Sequence, residues 1–169
     1  MSRLIPIVAM LFVSSPACAG KLGRLTEAEL DHYRALRVFM DDDDEKVWFK
    51  LKTTEERDAW LREEKLWDKF YALPAEVRAQ IVGGKVERGY TRDMVYMTWG
   101  PPFQKNRLTG REAARSELLV YRFEIDKDGF ANPIATKRGD YKAEGHYQME
   151  LTVDDDVVAV IDQKDGWTQ

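Results

Sequence analysis

Nucleophiles and metal ligands are scarce in this chain of 169 residues. It holds one cysteine, Cys18, and two histidines, His32 and His146. Ser116 is the only serine beyond residue 20. A single cysteine rules out a disulfide within the chain. Ser116 lies in the polar stretch Arg111 to Glu117 with no glycine elbow around it, so an activated serine has no support. The histidines are far apart in sequence, and neither has a second ligand at metal spacing. Runs of positive charge are missing too: 26 basic residues are interleaved with 30 acidic ones, for a net charge of −4. No patch would attract a phosphate backbone, which argues against nucleic acid as a partner. No residue is assigned a catalytic, cofactor-binding or metal-binding role.

What is present begins with a leader. Met1-Ser2-Arg3 is a short basic start, Leu4 to Val13 an apolar run too short for a stable span, and Ser14 to Gly20 a small-residue cleavage region. Residues 1–19 therefore read as an export signal. Ala17-Cys18-Ala19 fits cleavage before Gly20. Alternatively, Cys18 stands where the lipidated cysteine of bacterial lipoproteins stands, with Ala17 before it, although Ser15 replaces the usual leucine. Both routes stay open, and lipidation of Cys18 is the preferred one. The outcomes differ in place: the periplasmic face of the outer membrane, lipid-anchored, or a soluble periplasmic or secreted protein.

Helices come next. Thr26 and Glu29 make a capping box, with Leu25 and Leu30 as the hydrophobic staple. Leu30, Tyr33, Leu36 or Arg37, and Met40 continue the stripe. Asp41 to Asp44 reads as an acidic linker that stops one helix and starts another, since it lacks the alternating ligands and glycine of a calcium loop. A short helix over Glu45 to Leu51 follows. Thr53 and Glu56 then cap a helix expected to run unbroken to about Leu73, burying Trp60, Leu61, Trp67, Phe70 and Tyr71. Pro74 opens another helix, and Gly83-Gly84 ends it.

The chain then reaches Gly89-Tyr90-Thr91-Arg92-Asp93-Met94-Val95-Tyr96-Met97-Thr98-Trp99-Gly100-Pro101-Pro102. Thr91 can cap the helix and Asp93 suits its first turn. Val95 and Trp99 share its inner face, Gly100 can take a positive φ, and Pro101 cannot continue the helix. This pattern resembles the core of the SmpA/OmlA (BamE-like) outer-membrane lipoproteins, in which Gly-x-Thr, a valine-containing helix and Gly-x-Pro precede strands. Gly89, Thr91, Val95, Trp99, Gly100 and Pro101 carry that likeness. The chain is also similar to bacterial GWxTD-domain proteins, through Gly89-Tyr90-Thr91, Val95-Tyr96 and Gly100-Pro101-Pro102. Phe49 to Trp60 with Leu66-Trp67 is similar to the segment upstream of that motif. Tyr90 replaces the motif's tryptophan, Arg92 separates Thr91 from Asp93, and the family's Arg-Asp-Pro stretch is missing.

After the prolines the pattern turns to period two. Leu118 to Ile125, Tyr147 to Val153 and Val157 to Ile161 read as strands, with Phe103 to Leu108 as a fourth, edge strand. Asp128-Gly129 and Asp154-Asp155-Asp156 are turns, and Asn132 to Gly145 a polar loop. The expectation is an α+β chain: N-terminal helices over residues 20–85, then an α+β domain over 86–169. In that domain a small antiparallel meander of three or four strands packs on the short helix.

Both resemblances imply a non-enzymatic cell-envelope protein that binds another envelope protein and reaches the membrane through lipidated Cys18. Its task would lie in outer-membrane or envelope assembly. The alternative is a secreted or periplasmic hydrolase, or a metal-dependent enzyme. Trp99 reads as core. Tyr90 and Phe103, beside the turns, are either core or a partly exposed partner surface.

Overall fold

The computed structural model of the chain describes Gly20, residues 22–134 and residues 143–166. The leader, Cys18 and most of the expected polar loop lie outside these residues. The described chain is α+β, with helices first and an antiparallel sheet after them. It divides into two units. Of the described residues, a helical unit takes in those from Gly20 to Val86 together with Tyr90–Pro101, and a sheet unit takes in Glu87–Gly89 and those from Pro102 onward. The helix after Thr91 thus groups with the helices before it, not with the strands that follow it in sequence.

In the helical unit, α1 (Glu27–Leu36) runs into a 3-10 turn (Arg37–Phe39), followed by α2 (Asp42–Lys50) and α3 (Thr54–Glu63). Next come α4 (Trp67–Tyr71), α5 (Ala75–Val82) and α6 (Arg92–Trp99). The starts follow local chemistry. Thr26 accepts from the Glu29 N–H, and the Glu29 carboxylate accepts from the Thr26 N–H at 2.7 Å. Asp41 and Asp44 make the same reciprocal box, as do Thr53 and Glu56. Thr91 caps α6 by accepting from the Met94 N–H at 3.3 Å. Trp48, Leu61, Ile81, Leu36 and Val95 are buried in this unit. Helix α6 lies against α1, α5 and the 3-10 turn.

One expected helix is two. The chain breaks after α3, where Lys65 takes φ +58°. The Lys65 N–H donates to Arg62 O, and the Leu66 N–H donates to Leu61 O at 2.9 Å. This paired closure is the motif that normally uses glycine at the left-handed position. Helix α5 ends in the same way with Gly84 at φ +78°: the Gly84 N–H donates to Ile81 O, and the Lys85 N–H to Gln80 O. The buried stripe of α1 also differs from expectation. It consists of Glu29, His32, Tyr33, Ala35 and Leu36, while Leu30 and Met40 are only half-buried.

Among the described residues the sheet has five strands, one more than the upper expectation: β1 (Gln104–Leu108), β2 (Ser116–Ile125), β3 (Ala131–Ile134), β4 (Gly145–Asp154) and β5 (Val157–Asp165). The order is β1-β2-β4-β5. Strand β4 pairs with β2 along its whole length, and β1 and β3 share the other edge of β2 end to end. Strand β3 falls where a turn and polar loop were expected. Its four residues include Pro133, which an edge position tolerates because no ladder donor is needed there. Leu119, Tyr121 and Phe123 face Leu151, Met149 and Tyr147 across the β2–β4 ladder, forming one apolar face. The Phe123 and Tyr147 rings stack at 4.8 Å, and burial pushes the Tyr147 phenol up to about 12. The other face is mixed: Val120 is buried there, and Lys164 and Gln148 are both bonded to Glu150.

Candidate functional site

The corner residues take up structural positions. Gly89 donates its N–H to Val158 O at 2.9 Å, at the start of β5. Val95 is fully buried, and the Trp99 indole N–H donates to Gly84 O at 2.9 Å. Gly100 has φ +75° as expected, but its ψ is −162°. That places it in the extended region open essentially to glycine alone, not in the left-handed helical region. Pro101 follows and ends the helix. Tyr90 is not a partner surface: it is 6% exposed, and its hydroxyl donates to the Gln80 side chain. Phe103 is half-buried, with the Arg122 guanidinium 4.1 Å from its ring. Cys18 lies outside the described residues.

Ser116 begins β2 and is 4% exposed. Its hydroxyl donates to Asp154 Oδ1 at 2.6 Å, and Arg111 holds the same carboxylate through Nε and Nη2. The Arg111 and Ser116 bonds lower the Asp154 carboxyl to about 2. Asp155 accepts from the Arg115 N–H and donates its own N–H to Arg115 O. The aspartates between β4 and β5 therefore tie down the loop between β1 and β2. Asp155 and Asp156, both at positive φ, make the two-residue turn itself.

The helical unit contains two buried polar clusters. In the first, Glu29 is 1% exposed and receives bonds from the Thr26 N–H, the Thr26 and Thr54 hydroxyls, and Arg57 Nη1 at 2.6 Å. Burial by itself raises the Glu29 carboxyl, but these donors outweigh it and leave it below the usual carboxylate value. Arg57 also donates to Leu51 O and lies over the Trp48 ring. This cluster joins α1 to α3.

The second cluster surrounds His32, which is 2% exposed. Its Nε2 faces the Tyr71 hydroxyl at hydrogen-bonding distance, and its Nδ1 lies 3.5 Å from Asp58 Oδ1. Trp67, Phe70 and Tyr71 present their rings edge-on to the imidazole at centroid distances of 5.4, 6.3 and 5.3 Å. Outside this ring, Trp67 stacks on Tyr71 at 4.0 Å, with the Arg62 guanidinium 3.9 Å from the Trp67 ring. Arg78 lies 5.0 Å from the Tyr71 ring and donates to Leu73 O.

Burial lowers the His32 imidazole below its ordinary value, against the opposing pull of Asp58, Asp31 and Glu29. Burial and the Asp58 charge raise the Tyr71 phenol. Nε2 and the Tyr71 hydroxyl share one hydrogen bond whose direction follows the tautomer, while Nδ1 and Asp58 Oδ1, 3.5 Å apart, make no hydrogen bond. Carboxylate, imidazole and hydroxyl stand in the order of a proton relay. The imidazole is closed to solvent, however, and only its Nε2 side is hydrogen-bonded, so the three groups gather α1, α3 and α4 at one point and offer no open reacting centre.

The sequence reading of His32 went no further than the lack of a second ligand at metal spacing. Tyr71 lies 39 residues further along the chain, so no local spacing announces the pair. The one available signal is the position of His32 within the buried stripe of α1. Among the described residues no group of His, Cys, Asp and Glu could hold a metal ion, and no helix is long and apolar enough to cross a membrane. The chain matches no family model, no curated protein sequence and no solved structure.

Proposed function

We propose that the protein is a non-enzymatic component of the bacterial cell envelope. On this reading it is exported by its leader, tethered through Cys18 at the periplasmic face of the outer membrane, and acts by binding another envelope protein. The observation that carries the non-enzymatic part is the internal engagement of the side chains that could do chemistry. His32 is enclosed between Tyr71 and Asp58, and Ser116 gives its proton to a carboxylate already held by Arg111. A buried hydroxyl bonded to an ion-paired carboxylate is a poor nucleophile, because no base is free to activate it. The capped helix after Thr91 and the glycine-only conformation at Gly100 are consistent with the resemblance to BamE-like and GWxTD-domain proteins.

Cell fractionation with intact mass measurement tests the tether. The wild-type protein is expected in the membrane fraction, with a mature chain that starts at Cys18 and carries added lipid mass. Cys18→Ser is expected to leave that fraction. A soluble wild-type protein starting at Gly20 with no lipid overturns the anchor. More than one acyl chain is required for stable tethering, since a single chain binds only marginally. Membrane extraction and capture of the tagged protein then tests the partner: one envelope protein should accompany it in stoichiometric amount.

A further inference from the structure

We propose that the outer edge of β5 pairs with the same edge of a second copy of this chain, antiparallel and centred on Gln163. This inference concerns the sheet unit alone and does not depend on the envelope reading. Strand β5 is the last in the order β1-β2-β4-β5, and at nine residues it is a long border strand without a proline. Its second half lies open, with Asp162, Gln163, Lys164 and Asp165 all exposed.

The ladder fixes which backbone groups of β5 point away from the sheet. Ile125 O accepts from the Glu144 N–H and Arg115 O from the Asp155 N–H, so the odd-numbered residues of β2 direct their backbone toward β4. They pair with the odd-numbered residues of β4, which leaves Gln148, Glu150 and Thr152 to serve β5. Their partners are Lys164, Asp162 and Val160, beyond the register shift at Thr152/Val153. Ile161, Gln163 and Asp165 therefore turn N–H and C=O outward. Before the shift the outward residue is Val158, and its C=O is the one that takes the Gly89 N–H. Among the described residues nothing bonds the outward groups of Ile161, Gln163 and Asp165.

Charge selects the occupant and the register. Glu150 and Asp162 stand directly opposite each other in the β4–β5 ladder, an unfavourable like-charged pair. Lys164 bonds Glu150 at 2.6 Å, and among the described residues no cation bonds Asp162. In a two-fold antiparallel pairing centred on Gln163, Asp162 stands opposite Lys164 of the second copy, and Lys164 opposite its Asp162. Gln163 exchanges two backbone bonds with its own counterpart, and Ile161 exchanges two with Asp165 at each end. Asp162 and Lys164 then occupy the closely spaced positions between these bonds, where side chains meet best. Moving the centre by one residue sets Asp162 against Asp162, or runs on to set Lys164 against Lys164. Centring on Ile161 brings Lys164 against Val158, whose outward C=O Gly89 already holds. A centre between two residues sets outward groups against inward ones. The pairing is isologous and closes at two copies. Residues 161–165 make a small contact, so the dimer is expected to be weak, with a dissociation constant on the order of 100 µM.

Sedimentation velocity and amide hydrogen exchange on the mature full chain, over a concentration series, test the pairing. A reversible dimer is expected. As it fills, the amides of Ile161, Gln163 and Asp165 should gain protection, while those of Asp162 and Lys164, already inside the ladder, should not. Asp162→Lys, which relieves the like-charged pair within the chain, should weaken the dimer by at least about tenfold, and Lys164→Glu should do the same. Mixed in equal amounts, and with both first shown folded by circular dichroism, these two variants regain opposite charges at both contacts. The mixture should dimerise about as tightly as the parent. Gln163→Pro removes an outward N–H that the ladder does not use and should abolish the dimer. A chain that stays monomeric up to the order of 1 mM overturns the proposal. So does a dimer that Asp162→Lys or Gln163→Pro leaves intact, or a mixture that fails to recover it. Protection of the three outward amides in a monomer would assign the edge to another segment and likewise overturn the pairing.

Discussion

The helical unit and the sheet unit are held by different kinds of contact. In the helical unit, charged and polar side chains lie inside: Glu29 with Arg57, and His32 with Tyr71 and Asp58. In the sheet unit the apolar face is formed by Leu119, Tyr121, Phe123, Leu151 and Val153, and the ion pairs Arg111–Asp154 and Glu150–Lys164 keep at least one partner partly exposed. The difference has a physical origin. A sheet satisfies its backbone through the ladder and can leave one face wet; the polar residues it does bury, Ser116, Glu117 and Glu124, all stand on β2. Short helices leave unpaired backbone groups at both ends and must cross at close range. Polar residues that cap one helix, as Glu29 does, are drawn inside and need partners there.

If this contrast is correct, the largest losses come from different chemistry in each unit. Phe123→Ala should cost the fold about 3–5 kcal/mol through loss of a buried aromatic, read by chemical denaturation. Glu29→Ala should cost a similar amount, about 3–5 kcal/mol, because Arg57 is left buried without its carboxylate. The double change Glu29→Leu with Arg57→Met should recover most of that loss. A double variant no better than the single one would mean that the pair is not the source of the cost.

A smaller effect is expected at Gly100. No heavy atom beyond its two chain neighbours lies within 4 Å of where a Cβ would stand, so Gly100→Val is opposed chiefly by backbone conformation, at about 1–3 kcal/mol. Stability within the range of surface substitutions would show that the corner relaxes. The smallest change is a gain. Lys65 occupies the place that Gly84 fills at the end of α5, so Lys65→Gly should raise stability by about 1 kcal/mol. A loss there would indicate that the lysine side chain contributes more than its backbone strain takes away.

The two units also differed in how far the sequence could be read. Helix starts were legible where a threonine cap and its glutamate lie three residues apart, as with Thr26 and Glu29 or Thr53 and Glu56; Asp41 and Asp44 make the same box, but they were read as a linker and the helix was expected to start only at Glu45. The break at Lys65 was not. Glu63, Glu64 and Lys65 are all ordinary helix residues, and it is the closure onto Leu61, with Leu61 and Leu66 buried, that stops the helix. Period-two alternation found β2, β4 and β5. It missed β3, which is four residues long, contains a proline and is selected by the open edge of β2, not by its own pattern. The second chemical cluster was hidden for a related reason. Nothing near His32 in the chain points to Tyr71 or Asp58, and only the fold brings them together.

The split edge of β2 has a consequence for self-association. Where a long, flat outer strand would offer an unbroken row of free backbone groups to another chain, this edge is made of two short strands laid end to end. Strand β1 carries Lys105 and Arg107, both exposed, and β3 carries Pro133, which has no N–H to give. Charge, shortness and proline each discourage strand addition and the fibrous growth that begins with it. Pro133→Val with Lys105→Val and Arg107→Val would leave the ladder within the chain unchanged while restoring a template at its border, and the variant should aggregate at concentrations where the parent remains dispersed.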